Sequence, residues 1–361
     1  MAANQAILEA TIRHAVFLEQ LKSGEVKKFA PFLKEIDRSL RERLTKSDLT
    51  DFTTAKLERL LQEVDSLLLG IFDRYSTQLN LDLVDIANYE AQFEATSLTK
   101  AAPAGVSFDA ALPGAAAIRS AILTNPLSVR GTDGGKLLDA FIDGFTGTER
   151  QRLTGAIRQG FFEGQTNFQI IKNIRGTKAL GYNDGILAIT DRNAGSIVRT
   201  AVQHVATQAR METLKENSDV VQSVEWVSTL DSKTTAQCRT LDGRRFKLAE
   251  GPRPPIHINC RSTVVAITRF SALLSKDGTR ASVGDSGPQQ VRADFSYYDW
   301  LTQQPAAFQD KAIGPVRAKL LRDGGLSVER FSELQLDRNF AQLTLEQMKK
   351  LEPLAFERAS S

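Results

Sequence analysis

The chain is short of cysteine and histidine, and it lacks a long apolar run. Its 361 residues include two cysteines and three histidines. That is too little cysteine for a disulfide-rich secreted scaffold. No apolar segment approaches the roughly 20 residues that a membrane-spanning helix needs, so we expect no membrane span. The first 20 residues have no basic start and no cleavable apolar block, which predicts synthesis in a reducing cytoplasm without a signal peptide.

A large charge of one sign is also missing. The chain carries 46 basic and 43 acidic residues, a net charge of +3. A dedicated nucleic-acid binder normally has a larger basic excess, although local patches can still contact phosphates. One such stretch runs from Lys22 to Lys46 with eight basic and four acidic residues. We interpret it as a solvated helix face, or alternatively as a strip that rests on DNA or an acidic partner.

Most of the chain has the pattern of amphipathic helices. Residues 5–98 carry apolar side chains at helical spacing, most clearly from Leu57 to Phe72. Residues 100–135 are rich in small residues, proline and glycine, which predicts a linker or arm with a short helix at 114–124. Helices resume near residue 136.

Four helix starts with hydroxyl or carboxyl caps are predicted after that point. Thr148 and Thr166 each precede a glutamine by three residues, the spacing of a capping box. Thr190 or Asp191 is expected to cap a longer helix that ends near Asn217. A final helix is expected to open at Thr344.

The pattern changes to strands after residue 219. Residues 220–229 and 262–268 are rich in β-branched side chains, which favours strands. Asp242-Gly243 predicts a hairpin turn. Residues 275–293 are polar and glycine-rich, which predicts a loop. The fold class is therefore α+β, predominantly helical, with a small sheet or hairpin near 220–270 and extended arms.

Both cysteines and one histidine fall in one short window: Cys238, His257 and Cys260. These residue types are zinc ligands, but a closed structural zinc site needs four. The fourth is not obvious, and Asp231, Asp242 or a partner chain could supply it. A Cys238–Cys260 disulfide is a second interpretation, and a cysteine nucleophile with His257 as its base is a third. The simplest interpretation is two buried thiols and a hydrogen-bonded histidine that fix a turn.

Six basic residues surround this window and could contact DNA phosphates or a partner. They are Arg239, Arg244, Arg245, Lys247, Arg253 and Arg261, and with Asp242 and Glu250 they give a local charge of about +4. The other histidines, His14 and His204, are each alone on a helix. We expect those two on helix surfaces or interfaces rather than as ligands. Common phosphate-loop, dinucleotide, metalloprotease and serine-hydrolase motifs are absent from the sequence.

The order of these features resembles the phage minor head protein, or head morphogenesis, family typified by Mu F. The resemblance covers about residues 145–350. It depends on Arg199-Thr200, Trp226, Asp231, Cys238, Leu241-Asp242-Gly243, Phe246, Pro255-x-His257-x-Asn259-Cys260-Arg261, Tyr298-x-Trp300-Leu301-x-x-Gln304-Pro305, Gly314-Pro315-x-Arg317-x-x-Leu320 and Leu345-Glu346-Gln347. Many members have cysteine at the places of Thr235 and Ser262 and proline at that of Ile258. A four-cysteine zinc site is therefore excluded here.

The resemblance implies a minor head protein of a tailed-phage virion, made in the host cytoplasm. It implies partners in the portal or major capsid protein, contact with packaged double-stranded DNA, and a role in head assembly or genome ejection, without catalysis. On this basis residues 1–99 form a helical region, 100–135 an arm, 136–270 the Mu F-like domain and 271–361 a C-terminal extension. Zinc is the one candidate cofactor. A thiol-dependent hydrolase and a DNA-binding module are the alternative functions.

Overall fold

The computed structural model describes residues 3–47, 53–103, 105–270 and 278–360. The fold is predominantly helical α+β, as the sequence predicts. The chain begins with three helices, α1 (Ala3–Lys27), α2 (Ala30–Lys46) and α3 (Thr54–Lys100). Thr53 caps α3 by accepting a hydrogen bond from the amide of Lys56. Most of the apolar stripe predicted from Leu57 to Phe72 is buried, and buried side chains continue along α3 to Leu98.

Four more helices complete this helical region. After an extended segment come α4 (Ala115–Thr124), α5 (Leu138–Phe162), α6 (Asn167–Arg175), a 3-10 turn (Lys178–Leu180) and α7 (Ile186–Glu216). The apolar faces of α1 to α7 form a first core that runs along most of α3. The segment before α4 is tied to the end of α7, because Asn217 exchanges hydrogen bonds with the backbone of Ala111.

Two of the predicted helix starts are wrong. Thr148 lies inside α5, and α7 begins at Ile186 after Gly185 rather than at Thr190 or Asp191. The side chains near these positions join α5 to α7 instead. Glu149 is buried and accepts hydrogen bonds from Thr190 and Asn193, each at 2.7 Å. The capping boxes at Thr166 and Thr344 are confirmed.

A three-stranded antiparallel sheet follows α7, with the strand order β2-β1-β3. The strands are β1 (Val221–Val227), β2 (Arg245–Lys247) and β3 (Thr263–Thr268), and Trp226 on β1 pairs with Val264 on β3. Both longer strands are confirmed. The predicted turn is confirmed, because the amide of Arg244 donates to the carbonyl of Leu241 at 2.9 Å. The hairpin is wrong, because a short helix α8 (Ala236–Leu241) lies between β1 and β2. Gly243 has a φ of 78°, which explains the glycine there.

The predicted loop at 275–293 is also wrong over most of its length. Residues 271–277 lie outside the described residues, but β4 (Thr279–Gly284) and β5 (Gly287–Arg292) form an antiparallel hairpin. Buried and exposed residues alternate along β4, yet its inward side chains include Arg280 and Ser282. The strand therefore has the right period without the apolar residues that would reveal it.

The chain ends in six short helices around a third core. They are α9 (Tyr297–Thr302), α10 (Ala306–Ile313), α11 (Pro315–Asp323), α12 (Val328–Glu333), α13 (Leu345–Leu351) and α14 (Pro353–Ser360). Tyr297, Tyr298 and Trp300 are buried in that core. A second core, under the three-stranded sheet, joins Leu98 of α3 to Trp226 and both cysteines. Within the described ranges, no helix combines the length and apolar character needed to cross a membrane.

Candidate functional site

The Cys/His cluster lies where α8 meets the loop that leads into β3. The Sγ atom of Cys238 lies 3.1 Å from Nε2 of His257 and 3.7 Å from Sγ of Cys260. One ligand atom from each of the three residues falls within 4.8 Å of the others. Both cysteines are free thiols, and their sulfurs are much farther apart than the roughly 2.05 Å of a disulfide bond.

Local backbone contacts hold these three side chains in place. Thr235 caps α8 by accepting a hydrogen bond from the amide of Cys238. The amide of Asn259, which has a φ of 59°, donates to the hydroxyl of Thr200 on α7 at 3.0 Å. The amide of Cys260 donates to the carbonyl of His257 and closes a turn. The cluster is therefore built on the end of one helix and a loop anchored to another.

The two thiols have opposite ionisation tendencies. Burial, the hydrogen bond with Cys260 and its nearby charge raise the pKa of Cys238. Burial opposes ionisation of Cys260 as well, but hydrogen bonds from Cys238 and His257 hold the pKa of Cys260 below its usual range. The same contact with Cys260 raises the pKa of His257 despite burial. These two shifts favour the charged forms of Cys260 and His257, whereas the shift at Cys238 favours its neutral thiol.

The donor set suits a soft or borderline metal such as zinc. Nδ1 of His257 donates to the carbonyl of Ile258 at 2.8 Å, so Nε2 is the atom that faces the sulfurs. The fourth ligand that a closed site needs is missing from the described part of the chain. The carboxylate of Asp231 is held by two hydrogen bonds from Arg261, and that of Asp242 by two from Arg280. The chain therefore offers three ligands and leaves one position open.

Three of the six predicted contact residues are used inside the chain. Arg239 donates to the carbonyl of Ala312 at 2.6 Å. Arg253 donates to the carbonyls of Lys247, Leu248 and Pro252. Arg261 holds Asp231 in a bidentate pair at 2.7 and 3.0 Å. These side chains tie loops to their neighbours.

The other three predicted contacts lie on β2 and beside it. Arg245 pairs with Glu225 across the sheet at 2.8 Å, and Lys247 pairs with Glu250 at 3.2 Å. Both basic side chains remain largely exposed. Arg244 is half-buried. The structure does not gather all six residues on one surface around the cluster.

A basic cleft beside the cluster was missed by sequence reasoning. It opens between α1, α7 and the loop 255–262, with a volume of about 660 Å³. Its charged lining residues are Glu19, Lys22, Arg192, Arg199, Lys233 and Arg261. The available signal was the spacing of Arg192 and Arg199, which places both on one face of α7. The contributions from α1 and the β1–α8 loop have no such signal.

The isolated histidines are buried at interfaces between helices. His14 on α1 bonds to Glu90 of α3 at 2.5 Å and stacks on Phe93, and Arg210 of α7 pairs with Glu90 and Glu94. His204 on α7 is 1% exposed, and burial lowers its pKa to about 4. Neither belongs to the Cys/His group. Both hold helices together.

Comparison with known protein families finds a match over the middle of the chain. Residues 151–265, from the middle of α5 to β3, match the model of the phage Mu protein F like family. This segment, about a third of the chain, is similar to that family. The match contains the whole Cys/His cluster and the α7 wall of the cleft. No curated protein and no solved structure matches the chain significantly.

Proposed function

We propose that this protein is a minor head protein of a tailed-phage virion, bound to the portal or the inner capsid. Its role there is in head assembly, genome ejection or both, and its partners are the portal or major capsid protein and the packaged DNA. The observation that carries the proposal is the Mu F-like match over 151–265. Helix α3, which lies outside the match, packs against α7 of this segment along the first core.

Exposed aromatic residues in the matched segment support a protein partner. Phe162 at the end of α5 is 68% exposed and Phe168 at the start of α6 is 75% exposed. Aromatic side chains are enriched at protein interfaces, where they bury large areas. A portal or capsid surface would cover them.

Quantitative mass spectrometry of DNA-filled particles and of emptied ghosts from one preparation tests the location. Presence in filled particles and loss from ghosts would identify an internal protein that leaves with the genome. Retention in both would identify a fixed portal or capsid component. Absence from purified filled particles would overturn the proposal.

A second measurement tests the aromatic surface. Phe162→Ser with Phe168→Ser should lower the copy number per particle, because the interface loses its two largest apolar side chains. Leu69→Ser with Leu81→Ser is the matched control, since these α3 side chains are also exposed but lie outside the matched segment. Equal incorporation of both double variants would show that Phe162 and Phe168 are not part of the interface.

We also propose that the cluster binds zinc through Cys238, His257 and Cys260. Zinc would neutralise the buried thiolate and cross-link α8 to the loop before β3. Metal analysis of the purified protein should find about one zinc per chain, and Cys260→Ser should remove most of it because one of three ligands is weakened. Metal-free protein purified with zinc in all buffers would overturn this assignment.

The thiol-dependent hydrolase is the alternative, favoured by the 3.1 Å contact between Cys238 and His257. Against it, both cysteines are buried and His257 is oriented by a backbone carbonyl instead of a carboxylate. Iodoacetamide labelling separates the two. A nucleophilic thiol should react quickly in the folded protein, whereas a buried or zinc-bound thiol should react only after unfolding or metal removal.

A further inference from the structure

The basic cleft carries more positive charge than its own residues neutralise. Five cationic side chains and one carboxylate line it. Two of the cations are already engaged: Lys22 is buried and bonds to Glu19 at 2.5 Å and Gln203 at 2.6 Å, and Arg261 holds Asp231. The other three cationic side chains, Arg192, Arg199 and Lys233, are left to contact a ligand.

These three cations have little to bind inside the protein. Within the described ranges, the side chains of Arg192 and Lys233 make no hydrogen bond or ion pair, and both are exposed. Arg199 donates to the hydroxyl of Ser23 at 3.2 Å and approaches Glu19 at 3.8 Å. The donors come from two elements, with Arg192 and Arg199 on α7 and Lys233 on the β1–α8 loop. They therefore border one concave space from different sides.

The shape and chemistry of this space select a class of ligand. Its volume is in the range of small-molecule sites, which is large enough for a phosphate with attached sugar. A tetrahedral phosphate offers oxygens in several directions, whereas a carboxylate offers two in one plane, so donors from separate sides favour phosphate. Apart from His257 the lining contains no aromatic ring, so the cleft offers little surface on which a base could stack.

We propose that this cleft is a phosphate-ester site, with Arg192, Arg199 and Lys233 as its contacts. The site binds the phosphate group and does not distinguish between bases. A nucleic-acid backbone and a free nucleotide are two sources of the same group, and the test separates them. The proposal does not depend on the virion role, because it concerns the purified chain alone.

Fluorescence anisotropy with a labelled duplex DNA of random sequence measures backbone binding. Arg192→Gln with Lys233→Gln should weaken it by about a hundredfold, roughly tenfold for each charge-assisted hydrogen bond that the variant removes. The slope of log affinity against log salt should fall by about 1.8, near 0.9 for each phosphate neutralised. Arg59→Gln with Lys319→Gln is the matched control, because it removes two exposed cations elsewhere and should leave affinity nearly unchanged.

Competition then identifies the source of the phosphate. Displacement of the duplex by a 5′-phosphorylated mononucleotide, but not by the unphosphorylated nucleoside, would support a free nucleotide as the ligand. Displacement by unlabelled single-stranded or duplex DNA of any sequence, with no effect of the mononucleotide, would support the backbone. Equal weakening by the cleft variant and its control would overturn the proposal. So would displacement by an acidic peptide as readily as by phosphate ligands.

Discussion

Two groups of basic residues look alike in the sequence but behave differently in the fold. Arg239, Arg253 and Arg261 donate to carbonyls or a carboxylate of the same chain. Arg192 and Lys233 extend into open space. A guanidinium that satisfies buried acceptors stabilises the protein and is not free for a ligand, so local charge in the sequence is a poor guide to a binding surface.

Arg280 is the extreme case of an internal arginine, and its loss should have the largest effect. It is buried and donates to both carboxylate oxygens of Asp242 and to the carbonyls of Ser228 and Phe295. Arg280→Ala would leave Asp242 buried without its cation, which costs about 3–5 kcal/mol of unfolding free energy. Urea denaturation measures this. A decrease below about 1 kcal/mol would show that this pair does not hold the hairpin β4–β5 to the sheet.

Arg261→Ala should have an intermediate effect that depends on pH. Burial opposes ionisation of Asp231, but the hydrogen bonds and charge of Arg261 outweigh it and hold the pKa of Asp231 below its usual 3.8. The pair therefore stabilises the fold above about pH 4, and this stabilisation is lost as pH falls through the lowered pKa. At neutral pH the variant should be less stable by about 1–3 kcal/mol, because Asp231 stays largely buried without its cation.

Arg245→Ala is the control for that variant. Arg245 also pairs with a carboxylate, at 2.8 Å from Glu225, but its side chain is 64% exposed. Exposed pairs contribute about 0–1 kcal/mol, so this change should be nearly silent. The difference between the two variants should shrink in denaturation curves recorded below about pH 4. A constant difference down to about pH 2 would contradict the role given to Asp231.

The double change Arg192→Gln and Lys233→Gln should have the smallest effect on stability. Neither side chain makes a hydrogen bond or ion pair within the described residues that the substitution could break. Thermal and urea unfolding should differ from the parent by less than about 0.5 kcal/mol. A clear destabilisation would show that these two side chains stabilise the fold, as the arginines with internal partners do, and would remove the contrast between the two groups.

The sequence predicted features that depend on local patterns. The Cys/His cluster was visible because three residues of two rare types lie close along the chain, and β1 and β3 were visible from their β-branched residues. It could not predict features assembled from distant residues. Thr148 looked like the start of a capping box, but the neighbouring Glu149 bonds inside the core to Thr190 and Asn193, 41 and 44 residues away. The strand β4 was not predicted because one of its inward side chains is the charged Arg280, which donates to Asp242 in another element.

The cleft was missed for the same reason. Lys22, Arg199 and Lys233 come from three parts of the chain, and only folding α1 against α7 brings them to one cavity. The exposure of Lys233 is a property of the folded surface. No pattern along the chain distinguishes this lysine from the nearby arginines that are used internally.

The length of α3 has a mechanical consequence. Its 47 residues correspond to about 70 Å of unbroken helix. One end, at Leu57, belongs to the first core, and the other, at Leu98, belongs to the second. Because α3 is one continuous hydrogen-bonded helix without an intervening loop, a displacement at one end is transmitted to the other. This helix therefore couples the first core to the second mechanically.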